Sequence, residues 1–125
     1  MLHIQIIDHL DHDACQSYEL LAQQHLQPRS LSYLEKDGST HVDLSFSKEN
    51  LILKRSAEWI TQIDFNLNGP GSFTVVSDQG TMMGLVKTLK SRIDISVISL
   101  TYQLFIDDAI VTHQTLTYTI RGASA

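Results

Sequence analysis

The segment DHLDHD, residues 8–13, concentrates side chains that could bind a metal ion. Its carboxylates and imidazoles belong to Asp8, His9, Asp11, His12 and Asp13. A metal site needs three or four such ligands converging on one point, usually from one helix face or from different strands. The preceding LHIQIID alternates like a strand, so no helix presents His9 and His12 together. We therefore interpret the segment as a solvated turn, whose aspartates accept hydrogen bonds from nearby amides, and predict no metal and no cofactor.

Nucleophilic chemistry has no better support. The sequence contains no Gly-x-Ser-x-Gly elbow and no phosphate loop, and the glycines at 69 and 71 flank a proline in what reads as a hairpin. The single Cys15 is interpreted as an apolar filler or a surface residue. No constellation favours an enzyme.

Length, composition and charge indicate one folded domain, residues 1–125. Apolar residues make up 42% of the chain, and its net charge is −5. The nine basic residues are scattered, whereas nucleic-acid binding needs them clustered, so we expect no nucleic-acid partner. The start MLHIQIIDHL lacks a basic region and a cleavage site, and no apolar stretch approaches the roughly 20 residues that span a bilayer. With one cysteine and hence no internal disulfide, a cytoplasmic protein without a membrane partner is predicted.

A hydrophobic period of two dominates the chain and predicts strands. THVDLSF alternates strictly. The same pattern recurs in Trp59, Ile63, Phe65 and Leu67, from Ile93 to Val97, from Leu100 to Ile106 and from Leu116 to Ile120. Turn signals in KDGS, NLNGPG and IDDA separate these runs. We predict an all-β antiparallel fold of eight or more strands with little helix, closed into a barrel, with a second sheet folded over the first as the alternative.

Two segments have mixed signals. SYELLAQQHL contains helix-forming residues, but we interpret it as a strand with Tyr18 and Leu20 on one face. GTMMGLVKTLK can be read at helical spacing, so one helical turn is expected there. As a strand it would expose one of Met82 and Met83, which could form a lid or a partner surface.

The strand registers bring one charged pair together. A two-residue Asp37-Gly38 turn would place Tyr33 opposite Val42 and Leu31 opposite Leu44. A turn at Lys48-Glu49 would then pair Val42 with Arg55, and a turn at Glu49-Asn50 would pair Leu44 with it. In both cases Arg55 points to the interior, and Glu35 points the same way about 10 Å from it.

Three interpretations of Arg55 follow from this placement. It forms an ion pair with Glu35, since an unpaired buried charge is costly. It binds the carboxylate or phosphate head of a ligand. Or it lies at the barrel mouth and reaches water.

Larger pieces of the sequence resemble a known family. They are LSYLEKDGSTHVDLSFSKENLILKRSAEWITQIDF, GSFTVVSDQGTM and LTYQLFIDDAIVTHQTLTYTIRG, in that order. Over residues 30–122 the chain resembles the YwiB-like bacterial proteins, a lipocalin-like (calycin) β-barrel family of unknown function. Ala57 departs from the glycine usual in that family. The resemblance implies a fold and no activity, and it assigns no site residues.

The function expected from the residues is non-enzymatic binding of a small, partly apolar or amphiphilic ligand inside the barrel. The candidate ligand-binding residues are Arg55, Tyr33, Trp59 and Glu35, with Leu44 and Leu53 as further wall residues. The alternative is a protein-interaction barrel, or a homodimer, whose interior is filled by its own side chains. A cavity above roughly 300 Å³ would favour the ligand.

Overall fold

A computed structural model describes residues 2–20, 22–26, 29–46, 49–94 and 96–120. Within these residues the chain forms eleven β-strands. The strands are β1 (Leu2–Asp8), β2 (Ala14–Leu20), β3 (Ala22–Leu26), β4 (Arg29–Leu34), β5 (His41–Phe46), β6 (Asn50–Ser56), β7 (Ile60–Asn66), β8 (Gly71–Ser77), β9 (Gly80–Ile93), β10 (Val97–Ile106) and β11 (Ala109–Ile120). No helix long and apolar enough to cross a membrane occurs in the described part of the chain.

All eleven strands belong to one antiparallel sheet, with the order β2-β1-β11-β10-β9-β8-β7-β6-β5-β4-β3. Its two outer strands, β2 and β3, are separated in sequence by a single residue. The chain therefore passes directly from a strand paired with β1 to a strand paired with β4, which bends the sheet into a nearly closed barrel. The hydroxyls of Tyr33 on β4 and Tyr118 on β11 lie 2.8 Å apart in its interior. The predicted lipocalin-like barrel is confirmed.

The segments with mixed signals are strands. SYELLAQQHL is extended, as predicted, but it belongs to two strands and not to one: residues 17–20 end β2, and residues 22–26 form β3. The helical turn expected in GTMMGLVKTLK is wrong, because β9 runs unbroken from Gly80 to Ile93. Pairing with β8 and β10 satisfies its backbone without a helix. Both Met82 and Met83 are exposed, rather than one of them.

The predicted registers of the central strands are confirmed. Tyr33 pairs with Val42 and Leu31 with Leu44, while Val42 pairs with Arg55. This is the pairing expected from a turn at Lys48-Glu49 and not from one at Glu49-Asn50. Residues 47 and 48 themselves lie outside the described part of the chain.

The barrel interior is packed at one end. Side chains from all around the sheet are almost fully buried there: Leu2, Ile4, Leu31, Leu44, Leu51, Phe65, Val86, Ile98 and Leu100. Burying an aliphatic or aromatic side chain of this size stabilises the fold by about 1.5–3 kcal/mol. This apolar plug leaves the opposite end of the barrel to carry the site.

Candidate functional site

A cavity of about 510 Å³ opens at the end of the barrel opposite the plug. Its apolar lining comes from five inward-facing strand residues: Ile6, Val42, Leu53, Ile63 and Leu116. Its polar lining consists of Gln16, Tyr18, Tyr33, Glu35, Lys36, Asp37, Arg55, Thr61, Tyr102, Gln114 and Tyr118. The volume exceeds the roughly 300 Å³ at which small-molecule sites begin. The interior is thus half filled and half open.

The β4–β5 hairpin positions the rim of this cavity. Gly38 has a φ of +74°, which glycine adopts without steric cost, and its amide donates to Glu35 O at 3.0 Å. The Glu35 amide in turn donates to Thr40 O at 2.8 Å, so four residues form the loop. The predicted two-residue turn is therefore wrong. The register survives because the longer loop has the same centre.

Asp37 stabilises this loop through its carboxylate. One oxygen, Oδ1, accepts the amides of Ser39 at 2.9 Å and Thr40 at 2.8 Å, and Oδ2 accepts the Thr40 hydroxyl. These hydrogen bonds lower the pKa of Asp37 from a usual 3.8 to about 2. The hydrogen bond from the Thr40 hydroxyl contributes most. All three donors favour the ionised form.

The lowered pKa of Asp37 predicts a pH-dependent contribution to stability. A carboxyl with a depressed folded-state pKa stabilises the fold above its unfolded pKa and loses that contribution as the pH falls. We expect Asp37→Asn to melt at a lower temperature than the parent at pH 6, with the difference shrinking between about pH 4 and pH 2. Thermal melts across this range measure it, with Asp78→Asn in the exposed β8–β9 turn as control. A difference that persists undiminished at pH 2 contradicts the role given to Asp37.

Arg55 and Glu35 form an ion pair at the rim. Arg55 Nη2 donates to Glu35 Oε2 at 2.8 Å, and Nε donates to Oε1 at 3.1 Å. Hydrogen bonding to Glu35 raises the pKa of Arg55. The two side chains are 48% and 22% exposed, so the ion-pair and the barrel-mouth interpretations both hold. No described residue accepts a hydrogen bond from Arg55 Nη1.

All four tyrosines of the sequence line the cavity. Tyr33 and Tyr118 share the 2.8 Å hydrogen bond described above, and the Tyr102 hydroxyl donates to Gln114 Oε1 at 2.8 Å. Burial raises the pKa of Tyr102 to about 12, and it also raises the pKa values of Tyr33 and Tyr118. Burial acts here by disfavouring the charged form. The deep wall of the cavity, which Tyr33, Tyr102 and Tyr118 form, is therefore neutral and disfavours a charged group.

A second cation, Lys36, lies at the rim. Its Nζ sits 4.5 Å from the ring centre of Tyr18, within cation–π distance. The ionisable groups Glu35, Lys36, Asp37 and Arg55 all belong to the rim. Charge of both signs is thus found at the opening of the cavity, where two cations lie with two carboxylates, and the inner wall offers hydroxyls and amides.

Trp59 does not belong to this site, and its predicted place in the lumen wall is wrong. The side chain is 54% exposed. Its alternation with Ile63 and Phe65 suggested a shared strand face, but β7 begins only at Ile60. Trp59 lies in the turn before it, where its carbonyl accepts the Ala57 amide at 3.0 Å. Of the predicted lumen residues, the structure brings Arg55, Glu35, Tyr33 and Leu53 together at the cavity. Leu44 belongs to the plug.

Alternation in the sequence already places Tyr102 on one strand face with Leu100 and Leu104, and Tyr118 with Leu116 and Ile120, and the structure has both tyrosines in the cavity lining. The polar lining residues Thr61 and Gln114 were missed, because alternation was followed through apolar residues only. Lys36 carried no such signal, because it belongs to a loop.

The DHLDHD segment is a turn, as predicted. The Asp8 Oδ1 accepts the Leu10 amide at 3.0 Å, and His12 and Asp13 have positive φ angles. His9 bonds Asp13 at 2.6 Å and Thr115 at 2.8 Å, and its ring lies 4.7 Å from that of His113. The described residues contain no group of three His, Cys, Asp or Glu side chains arranged to hold a metal ion.

Comparison with known proteins identifies a family and a related fold. A family model described as a domain of unknown function, DUF1934, matches residues 7–118. The crystal structure of the ywiB protein from Bacillus subtilis is similar, with a TM-score of 0.65 and 18% sequence identity. The similarity covers 94% of this chain and 88% of that one, and at this identity it concerns the fold. No curated protein matches the chain.

Proposed function

The chain belongs to the DUF1934 family, a domain of unknown function, and we propose that it is a non-enzymatic binding module for a small, partly apolar ligand. The observation that carries the proposal is the open cavity of about 510 Å³ above a packed plug. A barrel filled by its own side chains would leave no such volume. Ligand pockets combine apolar walls with placed polar groups. This cavity has both, with polar residues the more numerous.

The distribution of charge suggests how the ligand lies. An anionic group favours the rim, where Arg55 has a free Nη1 and Lys36 adds a second cation. The apolar body would contact Ile63 and Leu116 further in. At the deep wall only a neutral group fits, since the raised pKa values of the tyrosines indicate that charge is disfavoured there. The proposed ligand is therefore an amphiphile with its anionic head at the mouth.

Glu35 supports this arrangement rather than blocking it. Its carboxylate holds the Nε and Nη2 edge of the guanidinium. A fixed guanidinium loses less freedom when it binds a ligand, so the ion pair would orient Arg55 toward the opening. The unpaired thiol of Cys15 is exposed, which suits a reducing compartment, and we propose that the protein acts in the cytoplasm.

Arg55→Leu is the variant that tests this proposal. The Arg55–Glu35 pair is substantially exposed, so its loss should change the free energy of unfolding by no more than about 1 kcal/mol. Affinity for an anionic amphiphile should nevertheless fall by about tenfold or more, because a charge-assisted contact with the head group is lost. Titration with a dansyl-labelled fatty acid measures binding, and urea denaturation of the same samples measures stability.

Lys54→Leu is the matched control. Lys54 is the preceding residue on β6 and is exposed on the outer face of the barrel. The same loss of charge there should leave binding unchanged. If Arg55→Leu and Lys54→Leu lost affinity equally, the effect of Arg55 would be general attraction between the protein and an anion, and not a contact in the cavity. A parent protein that binds no dansyl fatty acid would overturn the anionic-amphiphile proposal.

A further inference from the structure

Half of strand β9 has an open edge. Its residues Gly80 to Val86 pair with β8, and the last pair in that ladder joins Val86 to Gly71. On its other side β9 pairs with β10 from Leu85 to Ile93. Among the described residues, the stretch from Lys87 to Ile93 therefore has a neighbouring strand on one side only. An edge of this kind presents backbone donors and acceptors that another strand can use.

The hydrogen-bond pattern identifies which backbone groups face outward from this edge. The Asp94 amide donates to Val97 O at 2.8 Å, so this pair is bonded toward β10. Antiparallel ladders alternate bonded and non-bonded pairs. The backbone N–H and C=O of Ser91 and Ile93 therefore point away from β10, toward the open side.

Positive charge lines the outer face of the same stretch. A bulge between Thr88 and Lys90 brings Lys87 and Lys90 to one face, opposite Gln103 and Thr101 of β10. Both lysines are exposed. Arg92 follows on that face, where its Nε donates to Asp94 Oδ2 at 2.8 Å.

An apolar recess of about 470 Å³ adjoins the start of the open edge. Leu67 and Pro70 of the β7–β8 turn line it on one side, and Leu85 and Phe105 on the other. The hydroxyl of Thr88, which also lines the recess, is buried and has no hydrogen-bond partner among the described residues. Buried hydroxyls are usually satisfied.

We propose that the β9 edge from Lys87 to Ile93 binds an extended, acidic peptide segment of another protein by strand addition. Backbone hydrogen bonds would supply affinity, and alternate side chains would supply specificity. Acidic residues at every second position would lie opposite the basic face, while apolar residues between them would follow the other face and end in the recess. This partner site is separate from the barrel cavity and does not depend on the proposed ligand.

A second copy of this chain fits the edge less well. Antiparallel pairing of two β9 edges about a two-fold axis would set Lys87, Lys90 and Arg92 against the same cations. Like charges directly opposite each other on neighbouring strands are destabilising. The charge of the edge therefore favours an acidic partner over self-association.

The experiment uses the full chain and a capped, fluorescein-labelled peptide of about eight residues that alternates glutamate and valine. Fluorescence anisotropy should show that it binds the parent, and that affinity falls as salt is raised. Ser91→Pro removes an N–H that faces the open side and leaves the β10 ladder intact, a position where strands tolerate proline. Ser91→Pro should weaken peptide binding about tenfold or more, because the peptide loses a backbone hydrogen bond to residue 91 and must shift along the edge to avoid the proline ring. Ser91→Ala should bind like the parent.

Further arms separate strand addition from simple charge attraction. Lys90→Glu should weaken binding, while Lys54→Glu on the outer face of β6 should not. A peptide with lysine in place of glutamate, or with a central proline, should bind poorly. Equal binding of the proline-containing peptide, or no binding of the acidic peptide to a folded parent, overturns the proposal. The proposal would also be overturned if the parent sedimented as a dimer and the Ser91→Pro variant as a monomer, because the edge would then bind a second copy of this chain.

Discussion

Gly84→Ala is expected to destabilise the protein by about 3 kcal/mol or more, at the upper end of overpacking penalties. A Cβ at this position would clash with the backbone oxygen of Phe105 and with the Phe73 ring. Phe73 is the cross-strand partner of Gly84, and its ring lies over the glycine. The backbone oxygen cannot move without disturbing the β9–β10 ladder. Urea denaturation followed by circular dichroism measures the loss, and a wild-type midpoint would show that this contact is wrong.

Gly69→Ala is the matched control for this prediction. Gly69 lies in the β7–β8 turn, and the nearest atom to a Cβ built there is the Asn66 side-chain nitrogen at 3.8 Å. That is ordinary van der Waals contact, so the same added methyl group should change stability by no more than about 0.5 kcal/mol. The contrast tests the close approach at Gly84 rather than glycine replacement in general.

Leu44→Ala is expected to cost about 2–5 kcal/mol, because it removes a fully buried side chain from the packed end of the barrel. Its neighbours come from several strands, so they cannot all collapse into the space left behind. Leu53→Ala deletes the same atoms from a residue that lines the open cavity. There the removed side chain enlarges an existing space, and the cost should lie at or below the low end of that range.

The pair of leucine variants tests the division of the interior into a plug and a cavity. The two residues are direct cross-strand partners on β5 and β6, so their local strand environment is matched. A shift of the urea midpoint at constant slope would report stability alone. If Leu53→Ala proved as costly as Leu44→Ala, the lumen would be packed throughout, and the proposed ligand site would lose its basis.

Much of the fold could be predicted from sequence because its signals are local. Alternation in THVDLSF places Val42 and Leu44 on one face regardless of what lies beyond. Pairing across the KDGS turn followed from matching those faces, and it held even though the loop has four residues rather than two. Trp59 shows the limit of this reasoning. The alternating pattern of the sequence extends back to Trp59, but β7 begins only at Ile60. Trp59 therefore lies in the preceding turn and is exposed to solvent.

The sequence by itself determined the all-β class and the inward faces, and it limited the cross-strand partner of Arg55 to Val42 or Leu44, since each depends on residues close along the chain or on one turn. The structure selected Val42. Only the tertiary structure decided that Arg55 and Glu35 meet at an exposed rim, that Tyr33 meets Tyr118, and that a cavity remains between them. Those facts depend on how the sheet closes through β2 and β3. The distance between side chains on strands remote in sequence is set by barrel closure, which no local pattern encodes.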